Sequence, residues 1–267
     1  MPMNSDMSFL EQLQTADIWD RMKHISLEEM KTVTLMSRID TKYVTHQNKL
    51  LPILERAIAN KYMVQFTTCA LNGYSTTYYD TQNMEMYLMH HNKKLHRQKI
   101  RCRTYTDAGI SFLEIKDKSN KGRTNKIRMP VRETNSEQLK KDAEAIAFIS
   151  SHTRFDLPRL IPSVVTDFYR ITLVNVNKTE RITIDVNLTF KNITNNNEAA
   201  LTNLIIIELK QDGRFISTMK QILSELRVKP FHVSKYCIGT AMTDTHIKSN
   251  RFKRKLHLMN KIKNNYE

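Results

Sequence analysis

His96-Arg97-Gln98-Lys99-Ile100-Arg101-Cys102-Arg103-Thr104-Tyr105 places a cation at every second position between 97 and 103. In an extended chain successive side chains point to opposite faces, and those on one face stand roughly 6–7 Å apart. Arg97, Lys99, Arg101 and Arg103 therefore stack on one face, with Gln98, Ile100, Cys102 and Thr104 on the other. At an intermediate effective dielectric each neighbouring cation pair costs about 2–3 kcal/mol, against roughly 0.6 kcal/mol in open water. Either water bathes this face or a polyanion lies along it. For the stretch on its own, solvation is the simpler reading.

The same pattern recurs outward from this stretch. Charges share one strand face at i and i+2 in Arg38/Asp40/Lys42, Glu114/Lys116, Lys126/Arg128 and Glu208/Lys210, and at i and i+4 in Arg181/Asp185, while the opposite faces are largely aliphatic. One such strand is an ordinary half-exposed face. Six of them, beside helices whose apolar stripes need a surface to pack on, point the aliphatic faces outward and the charged faces towards a shared space. Long Lys and Arg heads cannot stay charged and dry there without anionic partners. A phosphate chain, linear and polyanionic, suits Arg forks and Lys point charges. The expected architecture is α+β: a closed, antiparallel, eight-stranded barrel with helices around it.

Along the chain, residues 1–36 read as a helical packing segment, with Ser26 and Glu29 forming a capping box. Strand alternation begins at Ser37. A helix is expected over about 46–60, from Leu50, Leu51, Leu54 and Ile58. A strand over 62–71, the Asn72-Gly73 turn and a strand over 75–80 come next. After the basic stretch, residues 117–125 form a solvated loop containing Gly122. Ser136 caps a helix to 151, and strands follow over 163–176, 181–186 and 204–210. A helix over 215–227 and a short element from Pro230 lead to Ser234-Lys235-Tyr236. The expected division is an N-terminal helical segment (1–36), a barrel domain (37–240) and a basic tail (241–267).

The chain has 267 residues, a formal net charge of +15 and a pI near 9.7, which call for an anionic partner. Lys248, Arg251, Lys253, Arg254, Lys255, Lys261 and Lys263 lie in the tail with no acid among them. By itself such a tail reads as a solvated helix face, and Leu256, Leu258 and Met259 beside the lysines allow contact with an anionic surface. Cys69, Cys102 and Cys237 are isolated, which argues for a reducing compartment and against disulfides or a zinc site. Met1–Leu10 lacks a signal-peptide pattern, and the longest aliphatic run, Leu204–Ile207, is too short to span a bilayer. The expected location is cytoplasmic, with membrane association only through a partner or the tail.

Among the acids, Glu208 and Glu114 offer hard oxygen ligands for Mg²⁺ or Mn²⁺ beside phosphate. Asp40 and Asp185 are flanked by cations on their own faces and read better as ion-pair members. Glycine-rich phosphate loops are missing. No nucleophilic triad can be assembled, and His90, His91 and His96 read as turn residues.

The motifs Arg38-x-Asp40-x-Lys42-Tyr43, Tyr78-Tyr79-Asp80-Thr81, Lys99-x-Arg101-x-Arg103-x-Tyr105, Phe112-Leu113-Glu114-Ile115-Lys116, Arg181-x-Thr183-Ile184-Asp185, Ile207-Glu208-Leu209-Lys210 and Ser234-Lys235-Tyr236-Cys237 stand in the order of a known family. Over about residues 36–240 the chain resembles the catalytic domain of the vacuolar transporter chaperone (VTC) polyphosphate polymerases, of the triphosphate tunnel, or CYTH-like, superfamily. The resemblance implies a tunnel barrel that holds a nucleoside triphosphate and a growing phosphate chain. It implies phosphate contacts from Lys42, Arg101, Arg103, Lys116, Arg170, Arg181 and Lys235, assisted by Tyr169 and Ser234, and a divalent metal at Glu208. Arg97, Lys99, Lys126 and Arg128 follow from the strand pattern.

The implied reaction moves the terminal phosphoryl of ATP onto phosphate or polyphosphate. Two departures stand out. The tunnel triphosphatases' E-x-E-x-K reads Arg38-x-Asp40-x-Lys42 here, which favours the polymerase branch. His232 replaces a basic residue two before the serine of the S-K pair. The phosphate-sensing domain and membrane spans of the eukaryotic polymerases have no counterpart in these residues, so coupling to translocation calls for a separate membrane partner. A tunnel triphosphatase and a non-catalytic polyanion binder are the competing readings. Nucleic acid ranks behind them, because the charged face lacks interleaved aromatics and Tyr79, Tyr87 and Tyr105 fall outside the main run.

Overall fold

The structure, a computed structural model, describes residues 8–33, 35, 38–120, 124–132 and 134–264. Ser37, Gly122 and most of Met1–Leu10, named above, lie outside them. The strands, in chain order, are β1 (Lys23–Ile25), β2 (Arg38–His46), β3 (Tyr62–Gln65), β4 (Asn72–Asp80), β5 (Arg97–Tyr105), β6 (Ile110–Lys118), β7 (Thr124–Val131), β8 (Ile161–Asn175), β9 (Glu180–Asn192), β10 (Glu198–Leu201) and β11 (Leu204–Asp212). They form one sheet of order β2-β11-β9-β8-β4-β5-β6-β7, antiparallel throughout this path, with β10 on β9 and β3 on β8. Only the short β1–β3 pair is parallel.

The expected eight-stranded closed barrel is corrected on both points: the sheet has 11 strands, and its path is open between β2 and β7. Edge chemistry accounts for the opening. Residue Pro130 in β7 has no N–H to offer a further strand, and Lys126 and Arg128 keep that edge solvated. On the β2 edge, the Phe231 N–H donates to the Lys42 carbonyl at 2.6 Å, and Tyr43 and Pro230 form an isolated bridge. The 230–232 segment thus occupies the place a closing strand would take.

Aliphatic faces do point outward. Ile171, Leu173, Ile182, Ile184, Ile207 and Leu209 pack under the helices Leu50–Ala59 and Thr218–Glu225. Ile100, Cys102, Leu113 and Ile115 pack under Ser136–Leu139 and Ala143–His152. Each fully buried Leu or Ile contributes about 1.5–3 kcal/mol of transfer free energy, which fixes these faces outward. The N-terminal segment joins the same core through Leu13, Ile18, Trp19 and Met22, and the Ser26/Glu29 capping box forms.

Several local expectations change. The helix expected from 136 is two, capped by Asn135 and Asp142 rather than by Ser136. Glu85–His91 is a helix that alternation did not reveal. Among the described residues no helix is long and apolar enough to cross a membrane.

Along the inward faces, charge gives way to apolar side chains within two residues. Lys42 is followed by Val44, Glu208 is preceded by Ile206 and Arg170 by Phe168. The apolar half is filled by the helix Lys235–Thr243, whose Tyr236, Cys237 and Ile238 pack on Val44, Phe168, Phe190 and Ile206. Gly239 makes this fit possible, since a Cβ there would stand 2.5 Å from Phe190 Cδ1. The helix N-terminus, Ser234-Lys235, meets the charged half.

Candidate functional site: a basic interior face

Register brings the charged residues together. Cross-strand pairs include Lys42 with Glu208, Arg181 with Lys210, Arg170 with Asp185, Arg101 with Glu114, Lys99 with Lys116 and Lys116 with Lys126. Lys99 Nζ donates to Ser234 Oγ at 2.8 Å, and Lys235 Nζ pairs with Asp185, so the helix N-terminus ties β5 to β9 across the interior.

Three carboxylates anchor the cations. Glu114, fully buried, accepts from Arg101 Nε at 2.7 Å and pairs with Lys126. Burial alone would raise its pKa, yet Arg101, Arg103 and Lys126 hold it down at about 2. Asp185 accepts from Arg170 at 2.6 and 2.9 Å and from Lys235. It too is held at about 2, against burial, by Arg170 and Lys235. Glu208 is looser, with Lys42 Nζ at 3.2 Å and Lys210 Nζ at 3.7 Å. Its pKa lies well below the usual range, because Lys210, Lys42 and Lys116 outweigh burial.

The remaining cations lack such anchors. Among the described residues Lys116 and Arg181 make no hydrogen bond or ion pair. Burial pushes Lys116 down to about 6; Arg101 and Lys42 add to this, and Glu208 opposes it. Among the described residues Arg103's hydrogen bond is to Thr76 Oγ1 at 3.2 Å, and burial with Arg101 and Arg170 lowers it to about 10. Burial likewise lowers Lys99. This interior carries a standing excess of positive charge.

Aromatic side chains underlie the cations, contrary to the expectation from β5 alone. Arg103 lies 5.5 Å from the Tyr74 ring centroid, Arg170 5.0 Å from the same ring, and Lys235 4.5 Å from that of Phe168. Arg101 sits over Tyr78, and Arg128 4.4 Å over Phe112. The rings come from neighbouring strands, so no single stretch displays them. Tyr74, Tyr78 and Phe168 are buried beneath the cations, which makes them a packing floor.

Of the residues expected at phosphate, Lys42, Lys99, Arg101, Arg103, Lys116, Arg170, Arg181, Ser234 and Lys235 are brought to this interior. Lys126 and Arg128 lie on its exposed β7 rim. Arg97 stands at the end of β5, donating to the Lys94 carbonyl at 2.6 Å. Tyr169 is corrected: it packs outward on the apolar core with Ile171 and Leu173. Adjacent residues of a strand face opposite ways, so Arg170 inward already implied Tyr169 outward. Asp40 is paired with Arg38 at 2.8 Å, as its flanking cation suggested, and Asp185 is also an ion-pair member, though its partners are Arg170 and Lys235 rather than its own strand's Arg181. Thr76 and the aromatic floor were missed, while Lys210, named in the charged pattern, was not placed among the phosphate contacts.

Among the described residues no group of three or more His, Cys, Asp or Glu stands together. A site for a divalent ion therefore has to be tested against single carboxylates. Mg²⁺ and Mn²⁺ beside phosphates are commonly held by one or two carboxylates, with phosphate oxygens and water completing the shell. Glu208, partly exposed and only loosely paired, fits that role.

Fold and site together define an antiparallel sheet protein with a basic, carboxylate-anchored interior plugged at one side by a helix. The VTC domain family model matches residues 37–243, and the chain belongs to that family. Solved structures with similar folds include a candidate adenylate cyclase from Vibrio parahaemolyticus (11% identity, TM-score 0.46, 77% of this chain and 99% of that one). Another is a candidate adenylyl cyclase from Hippeastrum, described as having a dominant triphosphatase activity (11%, 0.49, 78% and 97%). A third is the PH1819 protein of Pyrococcus horikoshii (14%, 0.43, 76% and 98%). No curated protein matches the chain.

Proposed function

We propose that the protein is a polyphosphate polymerase, which moves the terminal phosphoryl of ATP onto a phosphate or polyphosphate end and releases ADP. The observation that carries this reading is the converging set of interior cations, several of which have no anionic partner of their own. A phosphate chain supplies the missing charge. Arg101, fixed by Glu114, and Arg170 and Lys235, fixed by Asp185, present N–H donors in a set geometry. Donors held in place before reaction stabilise developing phosphoryl charge without reorganising. Phosphoryl transfer is governed by positioning and neutralisation, so Lys42, Arg103, Lys116 and Arg181 suffice to align donor and acceptor chains.

No covalent protein intermediate is called for. Cys102 faces the outer core, and burial pushes its thiol up to about 11, far from a thiolate at neutral pH. Glu208 would hold the divalent ion, which when bound neutralises phosphate oxygens. Glu114, between Arg101 and Lys126, serves better as the anchor of Arg101 than as a ligand. Asp40 is engaged by Arg38, which leaves no paired carboxylates on β2 to activate a water. This favours a phosphate acceptor over hydrolysis.

The test is to incubate the protein with ATP and Mn²⁺ and to follow ADP, free phosphate and long-chain polymer together. ADP and polymer in step are expected. Free phosphate without polymer would make it a triphosphatase, and tight polyphosphate binding without turnover a sensor. Glu208→Gln should shift the metal concentration needed for half-maximal rate upward by about tenfold or more, an order of magnitude typical for a lost anionic ligand, with less effect on nucleotide affinity.

A further inference from the structure

The tail is not a loose solvated end. Phe252 and Met259 are buried against the plug side of the core, and the helix Lys253–Asn264 lies beside β2 and β11. Its outward face carries Lys253, Arg254, Lys261 and Lys263, none of them in an ion pair among the described residues. Between this helix and the 230–232 segment is a cleft of about 240 Å³, lined by Pro230, Phe231, His232, Arg254, Lys255 and Leu258. Lys255 Nζ donates to the His232 carbonyl at 2.6 Å, and the Phe231 N–H donates to the Lys42 carbonyl. One wall of the cleft is therefore continuous with a strand of the basic interior. Burial, and then the charges of Lys255, Lys42, Lys118 and Lys99, push the His232 imidazole pKa down.

Cations thus flank His232 on both sides: Lys42, Lys99 and Lys118 towards the interior, and Lys255 on the tail helix, whose outer face adds Lys253, Arg254, Lys261 and Lys263. We propose that this cleft and helix face form an external track for linear polyphosphate, holding the part of a chain that extends beyond the interior. The proposal rests on the reading of the interior as a phosphate-chain site. It assigns a further site, for long chains only. The occupant follows from the geometry: a one-dimensional polyanion matches a cleft with one wall bonded to Lys42 of β2 and the other formed by the cationic tail helix. A folded acidic partner would cover the helix face without entering the cleft.

The test compares the wild type with a Lys253→Glu/Arg254→Glu/Lys261→Glu triple variant, all at exposed positions away from the interior. The probes are tripolyphosphate and a polyphosphate of about a hundred units, titrated by calorimetry. Tripolyphosphate should bind both proteins equally, which also shows the variant is folded. Long-chain affinity should fall by roughly tenfold in the variant, as three screened contacts are removed and reversed, and its salt dependence should flatten. Equal long-chain affinity in the two proteins would overturn the track, as would a variant that loses binding to anionic lipid vesicles while keeping the long chain. Failure of tripolyphosphate to bind the wild type would instead overturn the reading of the interior itself.

Discussion

Among the described residues Lys116 makes no hydrogen bond or ion pair, and burial among cations makes its ammonium destabilise the folded chain. Its folded pKa, about 6, lies below its ordinary 10.5. Between those values the unfolded chain binds more protons, so this group's penalty is full below pH 6 and fades as pH rises towards 10.5. Lys116→Met should accordingly raise Tm at pH 7, by about 2–8 °C for a gain of roughly 1–2 kcal/mol, and should weaken triphosphate binding. A lowered Tm would contradict this. In the wild type a bound phosphate restores the Lys116 proton. Binding near pH 7.5 should therefore take up protons, and affinity should decline as pH rises above 6; calorimetry in buffers of different ionisation heat reads this directly.

Arg101 behaves in the opposite way. Removing it leaves Glu114, fully buried, with a single cationic partner, a loss of about 3–5 kcal/mol typical of a broken buried pair. Arg101→Ala should show this in urea unfolding, and Arg101→Ala/Glu114→Gln should recover most of it. No recovery in the double variant would mean that Glu114 is not what Arg101 satisfies.

At the scale of elements, the plug helix sets the position of Ser234 and Lys235. It is held by Tyr236, whose hydroxyl donates to Asp80, while Asp80 also accepts from the Met86 and Tyr87 N–H groups at 2.9 and 2.8 Å. One carboxylate thus starts the helix Glu85–His91 and pins the plug. Gly239→Ala would force Phe190 and the helix apart, an overpacking cost of about 1–3 kcal/mol. The expected result is a lower Tm together with weaker tripolyphosphate binding, because Ser234 and Lys235 move with the helix. Unchanged Tm would show that the close approach to Phe190 is unimportant.

These same elements show where the sequence could be read and where it could not. The alternation at 97–103 was readable because one face is entirely cationic and the other packs. The helix Glu85–His91 was not, because its cap, Asp80, lies outside the helix and its start follows Met84 at φ 54°. Tyr169, by contrast, was readable: as the neighbour of the inward Arg170 it had to face outward.

For the whole molecule, six charged strand faces correctly implied an inside-out sheet with a basic interior. Closure was not implied. It depends on what the two edge strands meet, and alternation within a strand is silent about that; Pro130 was the one local sign. The aromatic floor was hidden for a related reason, since each ring reaches its cation only through the register of a neighbouring strand.

The central claim is that this interior binds a phosphate chain through charge rather than being merely solvated. Titrating tripolyphosphate into the wild type and into Lys42→Ala tests it most directly. Lys42 can be removed without orphaning Glu208, which keeps Lys210. The wild type should bind saturably and more weakly as salt rises, and Lys42→Ala should lose about tenfold or more, because the Lys42 cation would contact phosphate in a site of low local dielectric. Equal affinity in the two proteins, or no binding in either, would contradict it.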